Sequence, residues 1–220
     1  MKKFKNFLTF LSKLVYTRIP ISHIKNMLIL YDMVEYINDG LVDFIEDIDK
    51  LRDITRYQIA PHIYNESVAE HSFFVAVYVL KLHDFYDFDL KKALILALLH
   101  DYSEIYTSDV PYPIKKRIPE LEKLLEQEEQ KAYEEHCSKQ IADWMAEFNN
   151  KTSPEGIVCG LADVVSVISY CLHEITLGNK DCINTYNRCK ERVEILIRDL
   201  EKYKREKTSS VEVKKLLKFF

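Results

Sequence analysis

Turn-forming residues are scarce in this chain: 4 glycines and 6 prolines serve 220 residues. That leaves little material for the tight turns of an all-β sandwich or barrel, and alternating strand patterns bounded by turn signals are equally rare. No apolar run reaches the roughly 18 residues expected of a membrane-spanning segment, and no small-residue cleavage site follows the N-terminal residues. Basic charge is not in excess either. The formal net charge is -4, whereas binders of a nucleic-acid polymer usually carry a basic face, so no such partner is expected. The five cysteines, Cys137, Cys159, Cys171, Cys182 and Cys189, contain no C-x-x-C pair. An odd number without metal spacing points to reduced thiols and a cytoplasmic protein.

What is present is hydrophobic residue, 47% of the chain, recurring at helical spacing. This predicts an all-α protein with one substantial core. Residues 1-32 carry six basic side chains (Lys2, Lys3, Lys5, Lys13, Arg18, Lys25) against Asp32 alone, and Phe4, Phe7, Leu8, Leu11, Leu14 and Val15 share one helical face. Such a basic amphipathic extension can touch a membrane surface weakly or dock on the domain or on a second subunit. The main domain is expected over 33-206, with a loose tail over 207-220.

Within the domain, apolar periodicity predicts a helix over 33-53 and an irregular segment over 55-65. Ser67-Val68-Ala69-Glu70 has the capping-box form, predicting a helix from Val68 to Leu82 with His71 in its first turn. A nearly all-apolar helix follows from Leu90 to Ser103. Residues 107-113, with Pro111 and Pro113, read as loop. One long helix is predicted over 120-148, another from the Thr152/Glu155 capping signal to the Gly178-Asn179 stop, and a last one over 181-204.

His100 and Asp101 end the most apolar stretch, 93-99, and Glu104 follows within one turn. Burying an imidazole and a carboxylate unpaired costs kilocalories, and a metal ion would satisfy both. Two similar pairs serve as controls. His83-Asp84 lies in a polar helix end, and His173-Glu174 opens like H-E-x-x-H but meets Leu177 where the second histidine must stand. Asp163 sits within the apolar pattern of Ile157, Leu161, Val164, Val165, Ile168 and Leu172, so packing could carry it to His100. His71, His100, Asp101 and Asp163 would then offer two imidazoles and two carboxylates from three helices, a set suited to Mn, Co, Fe or Zn. Taken singly, each has an ordinary structural explanation.

In this order the four residues resemble the H...HD...D signature of the HD-domain metal-dependent phosphohydrolases. The flanking segments Leu51-Arg52-Asp53-Ile54-Thr55-Arg56-Tyr57, Asn65-Glu66-Ser67-Val68-Ala69-Glu70-His71-Ser72, His100-Asp101-Tyr102-Ser103-Glu104, Asp109-Val110-Pro111-Tyr112-Pro113-Ile114-Lys115 and Leu161-Ala162-Asp163 resemble its 5'-deoxynucleotidase branch, the YfbR-like proteins, over about residues 41 to 203. The resemblance implies an HD-domain helical bundle, here with an N-terminal helical extension. It implies removal of the 5'-phosphate from deoxyribonucleoside 5'-monophosphates, and a homodimer. One divalent ion (Mn, Co, Fe, Zn or Mg) is implied on His71, His100, Asp101 and Asp163, with Glu104 and Asp109 as catalytic acids and Arg56 on the phosphate. Lys115 is a further candidate for the phosphate, with a solvated loop lysine as the alternative. Tyr57 stands where the family often has a sugar-shaping tryptophan. Only His136 and His173 follow the His-Asp pair, which favours one metal over two. Hydrolysis of triphosphates or cyclic phosphodiesters, and a non-catalytic regulatory or binding role on the same scaffold, are the alternatives.

Overall fold

A computed structural model describes residues 39–204. The extension over 1-32 and the tail over 207-220, together with what was expected of them, lie outside the described residues. Compactness divides the chain into Met1–Glu46 and Asp47–Phe220, and the second unit holds every candidate site residue.

Among the described residues the elements are helices and two isolated β-bridges. Helix α1 (Asp39–Lys50) ends in a turn that leads into the irregular segment before α2 (Val68–Leu82). Ser67 caps α2 as its sequence requires, its hydroxyl accepting the Glu70 N–H at 3.1 Å. The carboxylate of Glu70 departs from the capping box and accepts the Tyr64 hydroxyl instead.

Helix α3 (Leu90–Leu99) is shorter than predicted; a turn over 100-103 separates it from α4 (Glu104–Thr107). His100 keeps helical backbone angles (φ -59°, ψ -30°), and the helical hydrogen bonding gives way to a turn just beyond it. The Tyr133 hydroxyl lies 2.8 Å from both the Leu99 and His100 carbonyls, partnering groups freed at this helix end.

Residues 112-117, read as loop in part, form the short helix α5 (Tyr112–Arg117). Pro113 falls in its first turn, where a missing N–H costs nothing. The single helix predicted over 120-148 is two, α6 (Pro119–His136) and α7 (Lys139–Asn150). Ser138 caps the second through the Ile141 N–H. The apolar stripe resumes after the break, so periodicity alone does not reveal it.

Helix α8 (Pro154–Thr176) packs against α2, α3, α7 and α9 (Cys182–Leu200); a 3-10 turn, Glu201–Tyr203, follows. Ser153 rather than Thr152 caps α8, accepting the Gly156 N–H at 3.2 Å. Glu155 is spent elsewhere, on the Asp89 N–H at 3.0 Å and on Lys92 at 3.3 Å. A Cβ at Gly156 would stand 3.1 Å from the Phe148 Cα and the Glu147 carbonyl oxygen, so a larger residue here would press on the end of α7 and need it to give by a few tenths of an ångström. Contrary to the expectation from run length, α8 is long and apolar enough to cross a membrane. In its most apolar 18-residue window 67% is buried inside the protein, which is the position of a core helix.

Glu174, one half of a discarded His-Glu pair, ties this core to the irregular segment. Fully buried, its carboxylate accepts the N–H groups of Ile63 (2.9 Å) and Tyr64 (2.7 Å) and the Asn179 amide (2.7 Å). Burial pushes its pKa up, but these donors outweigh it and hold the group below 4.5. A depressed folded-state pKa stabilises above the unfolded value and is lost as pH falls through the folded one. Glu174→Ala is therefore expected to lose about 1–3 kcal/mol at pH 7, because two part-buried main-chain N–H groups lose their acceptor. Urea denaturation should show the gap to wild type narrowing as the pH drops below about 4; equal midpoints at pH 7 would contradict this role.

Candidate metal centre

The segment before α2 is pinned by an antiparallel bridge between Thr55 and Ser67. The Arg56 N–H donates to the Glu66 carbonyl at 2.9 Å, and the Val68 N–H to that of Ile54 at 2.9 Å. Tyr57 then adopts a left-handed backbone, φ 60°, and its ring stacks on Tyr170 of α8 with centroids 4.1 Å apart. Ser108, just before Asp109, has the same sign of φ. A non-glycine residue held there costs on the order of 1–3 kcal/mol and requires tertiary support.

His71 from α2 and His100 from the end of α3 bring their Nε2 atoms to 3.3 Å. The His100 Nδ1–H donates to the Ala97 carbonyl at 2.9 Å, and the His71 Nδ1 lies 3.2 Å from the Ser166 hydroxyl. With each Nδ1 engaged, both rings turn Nε2 inward, where the two atoms can share a proton or ligate one metal ion. Asp101 Oδ2 completes the group, 3.2 Å from His100 Nε2 and 3.7 Å from His71 Nε2. His71, His100 and Asp101 each present one ligand atom within 4.8 Å of the others, a donor set that fits a divalent metal ion. Asp163 of α8 stands beside them, Oδ1 3.2 Å from His71 Nε2, with its side chain 34% exposed.

Burial, then the charge of Arg56, pushes His71 down to about 4, so the ring is neutral and free to ligate. Burial also works against a charged His100, but the adjacent Asp101 carboxylate raises it. For Asp101 and Asp163 burial acts upward and is overcome, chiefly by His100 and His71 respectively, leaving both carboxylates below the ordinary range.

Arg56 lies on the same carboxylate, Nη1 3.2 Å from Asp101 Oδ2. Burial opposes its charge, yet Tyr57 and the carboxylates of Asp101, Asp163 and Asp109 raise its pKa above the usual arginine value. Glu104 is buried with Oε2 lacking any hydrogen-bond partner. Burial first, then Asp101 and Asp109, pushes it well above 4.5. Asp109 is raised by burial against the pull of Arg56. The charge of Lys115, on α5, bears on both of these carboxyls. The Arg56 guanidinium lies over the Tyr57 ring, 5.4 Å from its centroid; Tyr57 also lines a cavity of about 80 Å³ with Ala60, His62, Tyr170 and Cys182, and its hydroxyl is buried without a partner.

Three contributors escaped the sequence reading as functional positions. Ser166 was findable, since it lies three residues after Asp163 and so on the same helix face. Glu66 sits beside Arg56 only because the bridge at Thr55 and Ser67 places it there. Glu129, whose carboxyl burial raises and on which Lys115 and Asp101 also act, is hidden within the charged pattern of α6. The controls behave as such: Asp84 pairs with Lys81 at 2.7 Å, and His173 meets the Tyr64 ring edge-on at 5.3 Å.

Comparison with known proteins gives a consistent result. Residues 43–206 match the family described as 5'-deoxynucleotidase YfbR-like. A 5'-deoxynucleotidase of Vibrio cholerae is 27% identical over 173 residues, covering 71% of this chain and 84% of that protein. Among solved structures, a protein of Pyrococcus horikoshii superposes with TM-score 0.67 at 23% identity, over 81% of this chain and 96% of the other. An HD phosphohydrolase of cyanophage S-2L, DatZ, bound to dA and one catalytic Zn2+ ion, has TM-score 0.57 and 21% identity, over 79% of this chain and 91% of its own. These two structures share the fold.

Proposed function

This chain belongs to the YfbR-like 5'-deoxynucleotidase family, and we propose that its buried His-Asp centre removes the 5'-phosphate from deoxyribonucleoside 5'-monophosphates. One observation carries the reading: Asp101 Oδ2 lies 3.2 Å from both His100 Nε2 and Arg56 Nη1, so a guanidinium suited to a phosphate stands directly beside a donor suited to a metal ion. In the reaction a water oxygen bonds to phosphorus, the bond from phosphorus to the 5'-oxygen breaks, and a proton reaches that oxygen.

His71, His100, Asp101 and Asp163 would hold the ion, which when bound supplies positive charge that polarises the phosphoryl group. Arg56 binds phosphate oxygens through its planar fork, and Lys115 adds a point charge. Glu104 Oε2, buried and without a partner, takes the proton from the attacking water. Asp109, whose carboxyl burial raises, gives the proton to the leaving 5'-oxygen. The mixed nitrogen and oxygen donors admit Mn, Co, Fe, Zn or Mg. Cytoplasmic residence, supported by five free cysteines, and a homodimer belong to the same reading.

The test is phosphate release by purified protein from paired ribo- and deoxyribonucleotides with Mn or Co. Turnover of the deoxy monophosphates above their ribo counterparts is expected. Turnover confined to triphosphates or cyclic phosphodiesters, or none at all, would reject the proposal.

A further inference from the structure

We propose that Glu66 is a positioning residue for Arg56, holding the rear of its guanidinium so that the Nη edge is presented to phosphate. The inference rests on the reading of Arg56 given above. Arg56 and Glu66 are both nearly closed off from solvent, with side chains 13% and 6% exposed. Their main chains are fastened together by the Arg56 N–H and Glu66 carbonyl, beside the Thr55 and Ser67 bridge. Arg56 Nε faces Glu66 Oε2 at 3.7 Å, an ion pair too long for a hydrogen bond. Both atoms are buried, and neither has another hydrogen-bond partner. An unspent donor therefore faces an unspent acceptor across a gap that a small movement closes.

The consequence follows from the shape of arginine. Its five N–H groups lie in one plane, and a carboxylate or phosphate takes two of them along one edge. With Nε directed at Glu66 on one side and one Nη1 N–H at Asp101 on the other, the second Nη1 N–H and those of Nη2 are left for the substrate. Without Glu66 the guanidinium can swing about its long stem, and ordering it must then be done by the phosphate itself.

The experiment measures inorganic phosphate binding to the full-length, Mn-loaded protein by calorimetry, in a double-mutant cycle of Glu66→Ala and Arg56→Ala, with Glu66→Gln alongside. Glu66→Ala should weaken phosphate about tenfold, as loss of one partner of a charged group does. Glu66→Gln, whose amide oxygen still accepts from Nε, should lose about threefold. Mn affinity should stay unchanged, and in the Arg56→Ala background Glu66→Ala should add nothing, because the effect runs through Arg56. KM for the monophosphate should rise in parallel, with kcat little altered. Unchanged phosphate affinity in both Glu66 variants, absent phosphate binding in wild type, or an equal loss persisting without Arg56 would each overturn the assignment. Should Glu66→Ala fail to fold, the glutamine variant carries the comparison. Failure of wild type to hydrolyse any monophosphate would instead strike the functional reading, while the phosphate cycle still decides Glu66.

Discussion

His100→Ala is expected to empty the metal centre and lower turnover of deoxynucleoside monophosphates by at least about 10³-fold, the scale of losing a charge-stabilising group worth several kcal/mol. The size of the effect comes from how much one ring organises. Its Nδ1–H is spent on the Ala97 carbonyl at 2.9 Å, so Nε2 has one orientation, toward His71 and Asp101. Alanine removes that donor and leaves Asp101 and Asp163 as neighbouring carboxylates with one imidazole fewer between them. Metal analysis of the purified variant should find a small fraction of the wild-type content. His83→Ala, altering the other His-Asp pair, should change neither quantity. A stoichiometric ion retained in His100→Ala would remove the centre from the mechanism.

Glu104→Gln is expected to separate metal binding from catalysis: kcat falls by about 10²–10⁴, the usual contribution of a positioned acid-base group, while metal content is kept. The substitution preserves shape, so packing around this buried side chain is little disturbed. Stability should move in the opposite direction to activity. Burial, with Asp101 and Asp109, holds the carboxyl well above 4.5, and a carboxyl raised in the folded state costs stability as pH rises above its unfolded value. Glutamine carries no such cost. Metal-free Glu104→Gln should therefore unfold at a higher temperature than metal-free wild type at neutral pH, with the gap closing toward pH 4. A variant of full activity, or one less stable than wild type at pH 7, would contradict the role of Glu104.

Legibility from sequence varied with how local the deciding physics is. The start of helix α2 was legible because Ser67 and its partner amide are three residues apart. The break between α6 and α7 escaped, since Ser138 does for α7 what Ser67 does for α2 but stands inside an uninterrupted apolar stripe. The Thr152/Glu155 signal named the right place and the wrong pairing, because Lys92 and Asp89, remote in sequence, compete for Glu155. Pro113 was read as a helix breaker and is instead a first-turn residue.

By itself the sequence determined the helical class, the core faces and the chemical identity of the groups that would meet, because periodicity, capping and residue type act over a few positions. Which oxygen faces which nitrogen was decided only by tertiary packing. Packing of α2 against α3 brings the His71 ring to His100 and Asp101, Ser166 of α8 engages the His71 ring, and the bridge before α2 brings Arg56 and Glu66 side by side. Each of these depends on contacts between segments distant along the chain, and a local pattern carries no record of the distance between such segments.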